Sequence, residues 1–112
     1  MLNELYLRDM KLILIEDPGA RFYIITPEAE YVKFEQIRDC PALTPSIKLL
    51  QNLKSGLITQ EEYRKKYTSE LRRPLSLELL KFIRQEGQEN DVYFVSDSDD
   101  RFTVLNVINT LQ

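Results

Sequence analysis

Hydrophobic positions along this chain fall into two kinds of pattern. Short apolar runs predict strands at Leu12-Ile13-Leu14-Ile15, at Arg21-Phe22-Tyr23-Ile24-Ile25-Thr26 and at Val92-Tyr93-Phe94-Val95-Ser96. Between the first two, Glu16-Asp17-Pro18-Gly19 has turn chemistry, because proline presets φ and glycine accepts positive φ. The spacing predicts a hairpin, and Pro27 stops its second strand. Leu5-Tyr6-Leu7 is a further candidate for the same sheet. Tyr31-Val32-Lys33-Phe34-Glu35-Gln36-Ile37 alternates at first like a strand that would extend an antiparallel set, and residues 39–43 read as loop.

The middle of the chain has helical spacing. Thr44 is placed to cap a helix with Pro45 at its first position, where the missing N–H does no harm. Leu49, Leu50 and Leu53 form its apolar stripe, and Gly56 ends it. Thr59-Gln60-Glu61-Glu62 is a capping box, opening a helix whose Tyr63, Tyr67 and Leu71 share one face until Pro74 stops it. Ser76 is expected to cap a third helix that buries Leu79, Leu80 and Ile83 and closes at Gly87. After strand 92–96, an acidic turn leads into a helical pattern over 101–111, with Asp99 or Asp100 as its N-cap. These elements predict a single α/β domain over 1–112. Its mixed sheet would have about four or five strands flanked by helices, an antiparallel N-terminal part and a C-terminal strand-turn-helix unit.

Composition narrows the chemistry. The 112 residues are 43% hydrophobic and 29% charged, ordinary for one globular core. Histidine is absent and Cys40 is the only cysteine, which removes Ser-His and Cys-His catalysis, imidazole metal sites and an intramolecular disulfide. The longest apolar stretch, at 12–15, is far short of the roughly 20 residues a membrane span needs. Glu4 and Asp9 among the first apolar residues are unlike a secretory signal, so a cytoplasmic protein is expected. A formal charge of −3 gives no global attraction to nucleic acid or anionic lipid.

Three stretches together resemble the DUF488 family of unknown function. Ala42-Leu43-Thr44-Pro45-Ser46 is similar to its "LAPS" helix opening, and Glu61-Glu62-Tyr63-Arg64-Lys65-Lys66-Tyr67-Thr68-Ser69-Glu70-Leu71 to its "EEFRxRYxxEL" helix. Residues 92–100 take the place of its "VTLLYAARDEE" strand and turn. The resemblance covers 42–111 and implies an α/β fold in a cytoplasmic prokaryotic protein. This chain lacks the arginine- and tryptophan-bearing segment that many members carry after an early strand, and their histidine after the last one. As a divergent member it inherits no catalytic role.

Candidate sites follow from residue chemistry. Asp97, Asp99 and Asp100 offer oxygen ligands to Mg²⁺ or Mn²⁺, and the same aspartates would also cap a helix and meet its dipole. Ser96 and Ser98, with free helix N–H groups, could hold a phosphate or carboxylate. Arg64, Lys65, Lys66, Arg72 and Arg73, with Tyr63 and Tyr67, could grip a nucleic-acid backbone. Their helical spacing favours an ordinary solvated face, with glutamates 61, 62 and 70 offsetting the charge. Cys40 reads as a packed thiol. Crevices beyond the carboxyl ends of strands are where open α/β sheets bind ligands.

The resulting expectation is a non-catalytic interaction or binding protein. A metal-assisted enzyme on a phosphate-containing substrate through the 97–100 turn, and a nucleic-acid binder through 64–73, are the alternatives. An early strand left at the sheet edge would also allow self-association.

Overall fold

The computed structural model describes residues 1–27, 30–31 and 33–96. Its elements are β1 (Leu2–Tyr6), a 3-10 turn (Leu7–Asp9), α1 (Met10–Glu16), β2 (Arg21–Ile24), β3 (Ile37–Asp39), a second 3-10 turn (Pro41–Leu43), α2 (Ile47–Lys54), α3 (Gln60–Leu71), α4 (Pro74–Glu89) and β4 (Val92–Ser96). The four strands form one sheet in the order β1-β4-β2-β3, and every neighbouring pair is parallel. The α/β class read from the sequence is therefore present. The antiparallel component of a mixed sheet is not found among the described residues.

That correction begins at residues 12–15, which lie in α1 rather than in a strand. A short apolar run does not by itself separate strand from helix. The decisive spacing starts earlier, at Met10: Met10, Ile13 and Leu14 face the core at i, i+3 and i+4, leaving Leu12 59% and Ile15 72% exposed. The segment 16–19 consequently joins a helix to a strand instead of closing a hairpin. The Asp17 amide donates to the Ile13 carbonyl at 2.8 Å, and the Gly19 amide to Asp17 Oδ1 at 3.1 Å. The expected strand over 31–37 starts only at Ile37, which pairs with Phe22.

The direction of the crossovers explains the layers. The connection from β1 to β2 passes β4 one way through α1, and that from β3 to β4 passes β2 the other way through α2, α3 and α4. Crossovers of one hand travelling in opposite directions put their helices on opposite faces. Two cores result. Met10, Phe22, Ile24 and Val95 pack on the α1 side, while Tyr23, Leu49, Tyr63, Tyr67, Leu80, Ile83 and Phe94 pack under α2–α4. Successive β2 side chains alternate between the cores, which is why its apolar run is continuous rather than alternating with polar residues.

Helix ends follow local chemistry, with three shifts from expectation. Ser46, not Thr44, caps α2; its hydroxyl accepts from the Leu49 amide at 3.3 Å. Pro74 is the first residue of α4, and Ser76 lies buried inside that helix's first turn. Gly87 is internal to α4, where a Cβ would come within 2.8 Å of Leu2 Cδ2, so glycine there lets the helix close on β1. Gly56 follows α2 at φ 78° and the Thr59–Glu62 capping box forms in both directions, as the sequence indicates.

Candidate functional site

Neighbouring strands β2 and β3 send the chain to opposite faces of the sheet. After β2 it enters a segment whose Tyr31 packs in the α1-side core, whereas after β3 it turns through Leu43 into the core under α2–α4. Where outgoing connections diverge, a crevice opens beyond the carboxyl ends of the strands. A cavity of about 530 Å³ occupies this place. Thr26 and Pro27 line it from the β2 exit, Asp39 and Cys40 from the end of β3, Thr44 and Ser46 from the approach to α2, and Glu70 and Arg73 from the end of α3 and beyond.

Hydrogen bonds to backbone carbonyls at the end of β2 and in the following turn hold the segment 40–44, which lines one side of this cavity. The Cys40 amide donates to the Ile24 carbonyl at 2.8 Å, carrying the β2–β3 pairing one step past β3. In the following 3-10 turn, the Ala42 carbonyl accepts from the Ser76 hydroxyl of α4 at 2.6 Å, and the Leu43 carbonyl from the Tyr67 hydroxyl of α3 at 2.5 Å. Two helices thus grip adjacent peptide groups. Thr44 Oγ1 donates back to the Cys40 carbonyl at 2.8 Å.

The polar side chains around the cavity are mostly committed. Both Glu70 oxygens accept from Ser46, one from its amide at 3.0 Å and one from its hydroxyl at 2.8 Å. Asp39 accepts from the Tyr31 hydroxyl; burial first, and that bond second, push the Tyr31 phenol up to about 12. Arg73 is exposed and forms no ion pair among the described residues. Cys40 is 4% exposed, and burial pushes its thiol up to about 11, so it is protonated at neutral pH and shielded from reagents. This bears out its reading as a packed thiol. The cavity can therefore hold and orient a ligand, and its described side chains include no ready nucleophile.

The residues singled out from sequence are dispersed. Asp97, Ser98, Asp99, Asp100 and the 101–111 helix lie outside the described residues. Ser96 ends β4 opposite Tyr6 and is not among the residues that line the cavity. Arg64, Lys65 and Lys66 are exposed on α3, with Lys65 Nζ 4.0 Å from Glu61 Oε1. The expected helical stripe over 64–73 breaks because α3 ends at Leu71, leaving Arg72 as its C-cap and Arg73 as the N-cap of α4. Only Arg73 of the five lines the cavity. No group of three or more Cys, Asp or Glu residues suited to a metal occurs among the described residues.

Thr44, Ser46 and Glu70 were not legible as site residues. Their convergence depends on the carboxyl end of β3, a strand only three residues long and starting where the alternation at 31–37 stops. A second, more apolar cavity of about 430 Å³ lies between α1 and residues 30–37, lined by Leu14, Ile15, Tyr31 and Phe34 among others.

No protein-family model, no curated protein and no solved structure gives a significant match to this chain.

Proposed function

We propose that this is a non-catalytic binding protein that holds a small polar ligand in the crevice between the carboxyl ends of β2 and β3. The observation that carries this reading is the coincidence of the cavity with the place where the two connections diverge. Its volume of about 530 Å³ falls in the range of roughly 300–1,000 Å³ common for small-molecule sites. Binding rather than bond-making chemistry is favoured by a sequence without histidine and by a buried, protonated Cys40. The reading includes a cytoplasmic setting and divergent membership of the DUF488 family, on the motifs over 42–111. No helix among the described residues is long and apolar enough to cross a membrane.

A thermal-shift screen of the purified chain against metabolites, nucleotides and divalent metals tests it. A ligand at a hundred times its Kd stabilises the native state by about 2.7 kcal/mol, which for a chain of this size raises Tm by about 10 °C or more. Ile47 is half exposed and lines the cavity, so Ile47→Trp should fill the space without disturbing the core and abolish the shift. A shift that survives Ile47→Trp would place binding elsewhere. A flat screen would remove the small-ligand reading and turn attention to macromolecular partners.

A further inference from the structure

We infer that the ligand is a small zwitterion, such as a free amino acid, with its cationic group on Asp39 and its anionic group on Arg73. The inference rests on the crevice being a ligand site and assigns the ligand's charge pattern. Among the described residues, three charged side chains line the cavity: Asp39, Glu70 and Arg73. Glu70 is held in place by Ser46, which donates to both of its oxygens, so Asp39 is the more open carboxylate. Asp39 and Arg73 are the open pair of opposite charge, and they come from different elements, Asp39 from the end of β3 and Arg73 from the start of α4. They make no ion pair with each other although they share one cavity.

Asp39 accepts one bond, from Tyr31, and a carboxylate has capacity for about four. Arg73 presents a planar fork of donors matched to a carboxylate or phosphate. A simple anion would gain Arg73 but face two carboxylates, and a simple cation would meet the carboxylates but leave or repel the guanidinium. A molecule carrying both charges satisfies both ends. The neutral lining of Ile24, Pro27, Pro41 and Ile47 is left to contact its apolar part.

The test is calorimetric titration of the full chain with the protein amino acids, with the matching acids lacking the amine, and with the matching amines lacking the carboxylate. An amino acid should bind at least about tenfold more tightly than either of its analogues. Arg73→Gln should abolish its advantage over the amine, and Asp39→Asn its advantage over the acid. Both side chains are exposed, and asparagine keeps an acceptor for Tyr31, so unchanged melting of the free variants will show that they fold. Binding of acids, amines or phosphate as tight as that of any amino acid would overturn the zwitterion while leaving a ligand site in the crevice. Failure of every compound here, together with a flat thermal-shift screen, would overturn both.

Discussion

Ser46 donates twice to Glu70, through its amide to Oε1 at 3.0 Å and through its hydroxyl to Oε2 at 2.8 Å. The contact seats a carboxylate from the last turn of α3 on the first residue of the α2 cap, and fixes one wall of the cavity. Glu70→Ala should lower stability by about 1 kcal/mol, in line with the loss of a helix-cap partner. Glu70→Gln keeps a carbonyl acceptor for the amide and should lose less. Urea unfolding of the two variants checks this, and equal losses would show that a neutral carbonyl cannot stand in for the carboxylate there.

The 3-10 turn at Pro41–Leu43 hangs from two hydroxyls on two helices. Tyr67→Phe and Ser76→Ala should each cost roughly 1–2 kcal/mol, because each leaves a carbonyl without its partner. The double variant should cost at least about 0.5 kcal/mol less than the sum, since the first loss already loosens the turn that the second holds. Additive losses in a double-mutant cycle would mean that the bonds act independently.

Gly56 sits at φ 78° with nothing within 4 Å of the position a Cβ would take. Packing therefore contributes nothing to the choice of glycine, and backbone conformation decides it. Gly56→Ala should destabilise by about 1 kcal/mol, with Gly56→Asn milder because asparagine tolerates this region. If the two variants melt alike, the left-handed conformation is not what selects glycine.

Burial raises the Cys40 thiol from its ordinary 9.0 to about 11. Below pH 9 the thiol is protonated whether the chain is folded or not, and its contribution to stability is intact. As pH rises towards 11 the unfolded chain ionises first, so stability falls by roughly 2 kcal/mol through that window. Burial also raises Tyr23, which donates to Glu86 at 2.6 Å, and Tyr67, and their losses begin higher, above the ordinary tyrosine value of 10.0. Cys40→Ala should delay the alkaline fall from about pH 9 to about pH 10. Urea midpoints between pH 7 and 11 measure it. At pH 8 a thiol reagent should react with the native protein no faster than the chain opens.

The sequence was most legible where a local rule acts alone. The capping box at Thr59 and Glu62, the stripe of Tyr63, Tyr67 and Leu71, and the stop at Gly56 each depend on residues within two turns of one another. Residues 12–15 misled because four consecutive apolar side chains satisfy strand and helix alike, and the choice depended on Met10 and on the sheet beneath. The parallel pairing of the N-terminal strands was hidden for the same reason. Once α1 is taken for a strand, a hairpin replaces a crossover, and the N-terminal part of the sheet reads as antiparallel, whereas strand 92–96 was legible as a buried parallel strand. The rule about strand ends pointed to the turn after strand 92–96, which lies outside the described residues, and the cavity at the ends of β2 and β3 was not foreseen, because Ser46, Glu70 and Arg73 meet only after three helices have packed.

The two ends of the described chain lie side by side, with Leu2 opposite Val92 and Tyr6 opposite Ser96. β4 also holds β2 on its other side, so it is the piece through which β1 joins the sheet. During synthesis β1 is made before β4 and must wait about ninety residues for this partner, a separation of the kind that slows folding. Until then its apolar residues Leu2 and Leu5 and its unpaired backbone are open to association with other chains.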